Sequence, residues 1–198
     1  MSSKVVAIIG SYRKGGAVDS AVEAILEGAR EKGAHTDKIY LTDRHIEFCR
    51  NCRECMQTPG PARGKCPQQD DLEPILQEIE AADALVLGSP VNCGNVTAIF
   101  SRFMERLVGA GYWPWGRNTP VPRTRDTKRR AALVATSAMP GFLIPLVTGT
   151  GHALRMTAQL LGARPICGLW IGLAAAEPHP RLSTRNRKRA RRIGWKLA

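Results

Sequence analysis

Cys49, Cys52 and Cys55 stand in C-x2-C-x2-C spacing, and Cys66 follows after a gap of ten residues. Three thiolates that close together on a short loop can face one [4Fe-4S] cube, and a fourth from a longer loop can complete it. Two other readings stay open: uncoordinated or reversibly disulfide-forming thiols, which lead, and a structural zinc held with help from His45. Arg50, Arg53, Arg63 and Lys65 surround the thiols with positive charge, which favours thiolates under every reading. Crowding of this kind is unlike a disulfide scaffold; Cys93 and Cys167 stand alone.

A second segment able to do chemistry is Gly10-Ser11-Tyr12-Arg13-Lys14-Gly15-Gly16. It follows an apolar run and opens a helical pattern. Its backbone N–H groups, the Ser11 hydroxyl, Arg13, Lys14 and the helix dipole can converge on a phosphate. It has neither the G-x-G-x-x-G of a dinucleotide loop nor the Lys-Ser/Thr ending of a Walker A loop. None of the four histidines, His35, His45, His152 and His179, sits in a recognisable triad, so no catalytic side chain is expected.

The elements that must position these residues alternate. Val5 to Gly10 is an unbroken β-branched run, as in a strand buried on both faces. Val18, Ala21, Val22, Ile25, Leu26 and Ala29 recur at helical spacing and Gly33 caps them. Strands are expected at Lys38–Leu41, Ala84–Gly88, Ala131–Thr136 and Pro165–Gly172. Helices are expected from Asp70–Asp71 through Ile79, over Val96–Leu107, from about Ile144 to Leu161, and from Ser183 to the end. Residues 45–70 read as a cysteine loop, and 109–128, rich in Gly, Pro, Trp and Arg, as an irregular excursion. Such alternation predicts an α/β chain with an open parallel sheet between two helical layers. Ligands of such sheets bind beyond the carboxyl ends of the strands. The loops that matter are therefore 11–17, 89–95 and 137–141.

The chain has 198 residues, 43% hydrophobic and 23% charged, which suits one domain spanning 1–198. No stretch approaches the ~20 apolar residues of a membrane span, and the first apolar run is too short for a signal peptide; the expectation is a cytoplasmic protein. The formal charge is +12, but eight cations follow Glu177 with no acid among them, and the rest carries about +4. Arg185, Arg187, Lys188, Arg189 and Arg192 fit the solvent face of an amphipathic helix, so nucleic-acid binding through this tail is the less favoured alternative.

The Gly10–Gly16 loop, Cys66-Pro67-Gln68-Gln69-Asp70-Asp71, Ala82 to Val91 with its Gly88-Ser89-Pro90-Val91 end, and Phe103-Met104-Glu105-Arg106 together resemble the NADPH-dependent FMN reductase family, on the side of its iron-sulfur flavoproteins. The resemblance implies a flavodoxin-like, doubly wound five-stranded sheet in the order 2-1-3-4-5. It also implies FMN, with its phosphate at Ser11 and Arg13 and its ring beside Pro90, Val91, Asn92, Cys93 and Gly94. Thr136, Ser137 and Ala138 would border the other edge of the ring. Ala17-Val18 stands where the family usually has Asn-Thr, so Ser20 and Lys14 are candidates to compensate. Asn92-Cys93 replaces a common aromatic pair; Trp113 and Trp115 would cover the flavin instead, or simply pack the long loop. The iron-sulfur branch resembles the cysteine pattern with a shorter last gap, while many relatives keep such cysteines without a cluster. The implied activity passes electrons from NAD(P)H through FMN to a flavin, a quinone, another acceptor or a redox partner protein. The alternative is an electron carrier with FMN and [4Fe-4S]. A homodimer or homotetramer is implied, with 109–128 as the candidate interface.

Overall fold

The computed structural model describes residues 2–123, 129–175 and 182–198. Glu177, His179, Arg181 and the 124–128 part of the expected excursion lie outside the described residues. Five strands, β1 (Lys4–Ile9), β2 (His35–Tyr40), β3 (Ala84–Pro90), β4 (Arg129–Thr136) and β5 (Ala163–Ile171), form one sheet in the order β2-β1-β3-β4-β5. Every neighbouring pair is parallel. This is the flavodoxin-like order, whose direction reverses between β1 and β3. The helices are α1 (Ala17–Arg30), α2 (Leu72–Glu80), α3 (Ala98–Glu105), α4 (Ile144–Val147), α5 (Thr150–Leu160) and α6 (Thr184–Leu197).

Successive strand residues point to opposite faces, and the buried set divides accordingly. Val5, Ala7, Ile9, Val86, Ala132 and Val134 pack with α1 and α6. Val6, Ile8, Leu85, Leu87, Leu133 and Ala135 pack with α2, α3 and α5. Among the described residues no helix is long and apolar enough to cross a membrane.

The basic last helix docks because two glycines let backbones touch. A Cβ on Gly28 would lie 2.2 Å from Arg191 O, and one on Gly194 only 2.0 Å from Ile25 O. Arg187 and Arg191 then reach Glu27 and Glu31 of α1, and Arg189 donates to Gly168 O at 3.1 Å. Arg185, Lys188, Arg192 and Lys196 remain exposed. Gly194→Val is expected to push α6 off α1 at a cost of about 1–3 kcal/mol, the usual penalty of overpacking. A lowered urea midpoint in equilibrium unfolding is the readout; an unchanged midpoint would contradict the close approach.

Three elements differ from their sequence expectation, each through a tertiary contact. The helix expected over 96–107 stops being α-helical at Glu105 and tightens into a 3-10 segment, Arg106–Ala110, because the Arg106 side chain is drawn into the cysteine loop. The helix expected from 144 to 161 is broken at Thr148–Gly149, where Thr148 is extended and Gly149 N–H donates to Gly94 O at 2.9 Å. β2 starts three residues earlier than expected: at the sheet edge its outward residues His35 and Asp37 can be polar. Within the excursion, Gly111–Tyr112 pairs antiparallel with Val121–Pro122.

Candidate functional site

The loop after β1 meets the start of α1 at the β1/β3 reversal point. Gly16 stands at the N-cap with no side-chain cap, and the N–H groups of Lys14, Ala17, Val18 and Asp19 have no acceptor among the described residues. Uncapped amides at the positive end of a 14-residue helix suit an anion. Ser11 is buried and its hydroxyl accepts from Arg13 N–H at 3.2 Å, which curls the loop; the Arg13 side chain is exposed. Lys14 pairs with Asp43 at 2.6 Å, and the Ser20 hydroxyl donates to Gly15 O at 3.3 Å. Both candidates for replacing Asn-Thr therefore already have partners inside the protein. Val18 is a core residue under the loop, against the face of Gly88.

Sequence reasoning missed what holds this loop from beneath. Asp19 accepts from Gly15 N–H at 2.7 Å, from Lys38 Nζ at 2.8 Å and from the Tyr40 hydroxyl at 3.0 Å. Burial pushes its carboxyl up, but the Lys38 and Gly15 hydrogen bonds and the Lys38 charge outweigh that, and its pKa ends below the ordinary value. The matching Lys38 ammonium, also paired with Glu23, is shifted up. The only sequence signal was Lys38 and Tyr40 two apart on one side of an edge strand, facing an acid in the first turn of α1.

The second loop is tied to the first. Thr97 Oγ1 donates to Gly10 O at 2.5 Å and accepts from Phe100 N–H, capping α3, while Thr97 N–H donates to Ser89 Oγ. Tyr12 OH accepts from Ile99 N–H at 3.2 Å, so the first loop supplies a second cap to α3. Asn92 and Asn95 exchange backbone hydrogen bonds around Cys93 and Gly94, whose φ values of 47° and 76° make a left-handed two-residue tip. In the third loop Thr136 and Ser137 are buried and Ala138 is exposed. Thr136 O takes Val91 N–H, Ser137 N–H goes to Ile171 O, and Ser137 Oγ accepts from Met139 N–H. The N–H groups of Cys93, Gly94 and Ala138 have no partner among the described residues. Pro90 and Val91 are half-buried beside them.

The cysteine loop is closed at its base by the two aspartates read as a helix start. Asp71 accepts from His45 N–H at 2.7 Å. Asp70 accepts from Glu47 N–H at 2.9 Å and Leu72 N–H at 3.0 Å, and takes the Arg106 guanidinium at 2.5 Å with both side chains 1% exposed. Arg106 also donates to Glu47 O at 2.6 Å and to Cys66 Sγ at 3.3 Å. Cys55 is buried, Cys49 and Cys66 are half-buried and Cys52 is exposed; all are free thiols. The Cys55 thiol is pushed up, first by burial and then by the charges of Cys66, Cys49 and Cys52. Asn51 and Arg53, between the cysteines, occupy the left-handed region at φ 53° and 62°. Among the described residues no three Cys, His, Asp or Glu side chains already stand as a metal-ligand set. His45 is turned to Glu47 at 2.9 Å and is mostly exposed.

Trp113 and Trp115 belong to this loop. They sandwich the Arg53 guanidinium, with ring centroids 3.9 and 4.2 Å away, and Arg53 donates to Trp113 O at 2.8 Å. Within this chain both rings contact Arg53, while Trp115 stays largely exposed. Gln57 completes the clasp by accepting from Trp115 N–H and donating to Arg53 O. Arg123 donates to the carbonyls of Cys55, Thr58, Gly60, Gly109 and Gly111. The described part of the excursion, 109–123, thus grips its own chain's cysteine loop.

A family model described as NADPH-dependent FMN reductase matches residues 3–163. An iron-sulfur flavoprotein of Archaeoglobus fulgidus is 33% identical over 111 residues, covering 56% of this chain and 48% of the relative. One from Methanocaldococcus jannaschii is 37% identical over 103 residues, covering 52% and 51%. The chain spans about half the length of the curated relatives it matches. Among solved structures, the NAD(P)H:quinone oxidoreductase from Methanothermobacter marburgensis superimposes over all of both chains with a TM-score of 0.70 at 20% identity, a likeness of fold. With the three loops gathered at the β1/β3 reversal and the match running through all of them, the chain belongs to the NADPH-dependent FMN reductase family.

Proposed function

We propose that the protein is an FMN-dependent oxidoreductase that takes electrons from NAD(P)H and passes them to a small-molecule acceptor or a redox partner protein. The observation that carries this reading is the set of unpartnered amides at the start of α1, next to Ser11 and Arg13, at the reversal point of a flavodoxin-like sheet. These groups fit a phosphate, with Lys14 and Ser20 at the margin of the same loop. The free N–H groups of Cys93, Gly94 and Ala138, flanked by Pro90, Val91, Asn92, Thr136 and Ser137, fit the polar edges of a flavin ring. Bound there, FMN would supply hydride and single-electron chemistry. The residues' own work is to hold it: Arg13 and the α1 amides neutralise the phosphate, Asp19 keeps Gly15 turned away from it, and the turn at Cys93-Gly94 presents backbone donors. No side chain is assigned an acid or base role. A homo-oligomer remains part of the proposal, with sedimentation as its check.

Arg13→Ala is expected to weaken FMN binding about ten- to a hundredfold, the worth of one charge-assisted hydrogen bond, and to leave riboflavin, which has no phosphate, unchanged. Flavin-fluorescence titration of both ligands reads this. Equal losses for the two, or none, would remove the phosphate from this loop. Bleaching of the bound flavin by NADPH under anaerobic conditions tests the donor.

A second reading, an iron-sulfur flavoprotein that carries electrons between FMN and a [4Fe-4S] centre, is favoured by four free cysteines on one loop, of which Cys55 and Cys66 line a common cavity. Their number and soft donor chemistry fit such a cluster. Anaerobic purification and an iron assay decide it: about four irons per chain with a broad visible shoulder support the cluster. Two resolved flavin bands alone count against it.

A further inference from the structure

A cavity of about 1080 Å³ among the described residues is not at the flavin loops. None of residues 11–16, 90–95 or 136–141 lines it. It lies toward the starting ends of β3, β4 and β5, reached by Asp83, Arg129 and Gly162, between α2 and α5. After Glu105 the chain tightens into the 3-10 segment Arg106–Ala110, which anchors Arg106 and lines the cavity, and among the described residues no α-helix lies over the gap between α2 and α5. The walls are Leu72, Leu76 and Ile79 of α2, Leu107, and Met156 and Leu160 of α5. Cys55 and Cys66 reach the same cavity.

Most of its charged lining groups are engaged by the protein itself. Arg63 is held by Glu73 and Glu80, each at 2.7 Å. Arg106 is held by Asp70, Arg123 by backbone carbonyls, and Arg129 donates to Leu161 O at 2.7 Å. Asp83 accepts from Lys4 N–H at 2.8 Å, and Lys65 is exposed at the rim. Past the cations at the rim, a charged ligand would be desolvated against apolar walls, whereas an uncharged apolar one would not. The volume is at the upper end of what small-molecule sites offer, and two methionines, Met56 and Met156, give walls that can adapt. We infer that this cavity is a second binding site, separate from the flavin loops, for an uncharged apolar small molecule, which it seats against Cys55 and Cys66. The inference does not rest on the proposed function, since flavin loading is read separately by absorbance.

The test uses N-phenyl-1-naphthylamine, a neutral fluorescent probe, and its charged relative 1-anilinonaphthalene-8-sulfonate, on the full chain as purified. The neutral probe is expected to saturate at one per chain, to bind at least tenfold more tightly than the sulfonate, and to slow alkylation of Cys66 severalfold. Leu160→Arg, and independently Met156→Trp at a position 44% exposed, should each weaken it at least tenfold with flavin content unchanged. Val147→Arg, in the exposed apolar surface of α4 with Leu146, should leave binding as it was. Binding that is lost in Val147→Arg yet kept in Met156→Trp, equal affinity for the sulfonate, or full Cys66 reactivity with probe bound would overturn the proposal.

Discussion

Asp70→Ala is expected to destabilise the protein by about 3–5 kcal/mol, the cost of leaving a buried charge without its partner. For a chain of this size that lowers the thermal midpoint by roughly 6–20 °C. Arg106 would keep Glu47 O and Cys66 Sγ but lose both carboxylate contacts, and the N–H groups of Glu47 and Leu72 would lose their acceptor. Thermal unfolding followed by circular dichroism measures this, and Asp70→Asn, which can still accept from the amides, should fall between the two. The same pair sets an acid limit. Burial raises the Asp70 carboxyl, but the Arg106 hydrogen bond, the two amides and the guanidinium charge outweigh it, so its folded pKa lies below the ordinary value. A depressed folded pKa contributes stability that is fully present above the ordinary carboxylate range, near pH 4, and lost as pH falls through the folded value. Wild type should therefore lose stability below about pH 4 more steeply than Asp70→Ala. Parallel curves for the two proteins would argue against the pair.

Arg53→Met should open the cysteine loop without unfolding the sheet. The substitution removes two cation–π contacts, each worth about 0.5–2 kcal/mol, and a charge-assisted hydrogen bond to Trp113 O. A combined local loss of about 3 kcal/mol corresponds to roughly a hundredfold increase in the open population. Cys55, 8% exposed in the closed loop, is the reporter: its alkylation should accelerate by about that factor while Cys167, in β5, keeps its rate. Hydrogen exchange should rise over 50–66 and 109–123 together, since each segment holds the other. Faster exchange in only one of them would mean that the clasp is not shared.

The division between α1–α6 and α2–α3–α5 follows from how each element is built. Unbroken apolar runs such as Val5–Gly10 and Ala131–Thr136 can only be central parallel strands, and helical stripes with one apolar face dictate what covers them. Those patterns are local, so they were legible residue by residue, as was the glycine-bearing loop between β1 and α1. Asp70-Asp71 was legible only in part: two acids before an apolar stripe read as a helix start, which they are, but their bonds to His45, Glu47 and Arg106 span the fold.

The amino-acid sequence alone determined the sheet, its order through the family resemblance, and the loops that gather at the β1/β3 reversal, because strand and helix periodicity and turn residues act over a few neighbouring positions. Only the tertiary structure decided that Asp19, Lys38 and Tyr40 support the first loop, and that Trp113 and Trp115 clasp Arg53. The same holds for the early end of α3 at Glu105 and for the cavity beside Cys55 and Cys66. These are meetings of side chains 19 to 62 positions apart in the chain, and their geometry is set by packing, which no local pattern encodes.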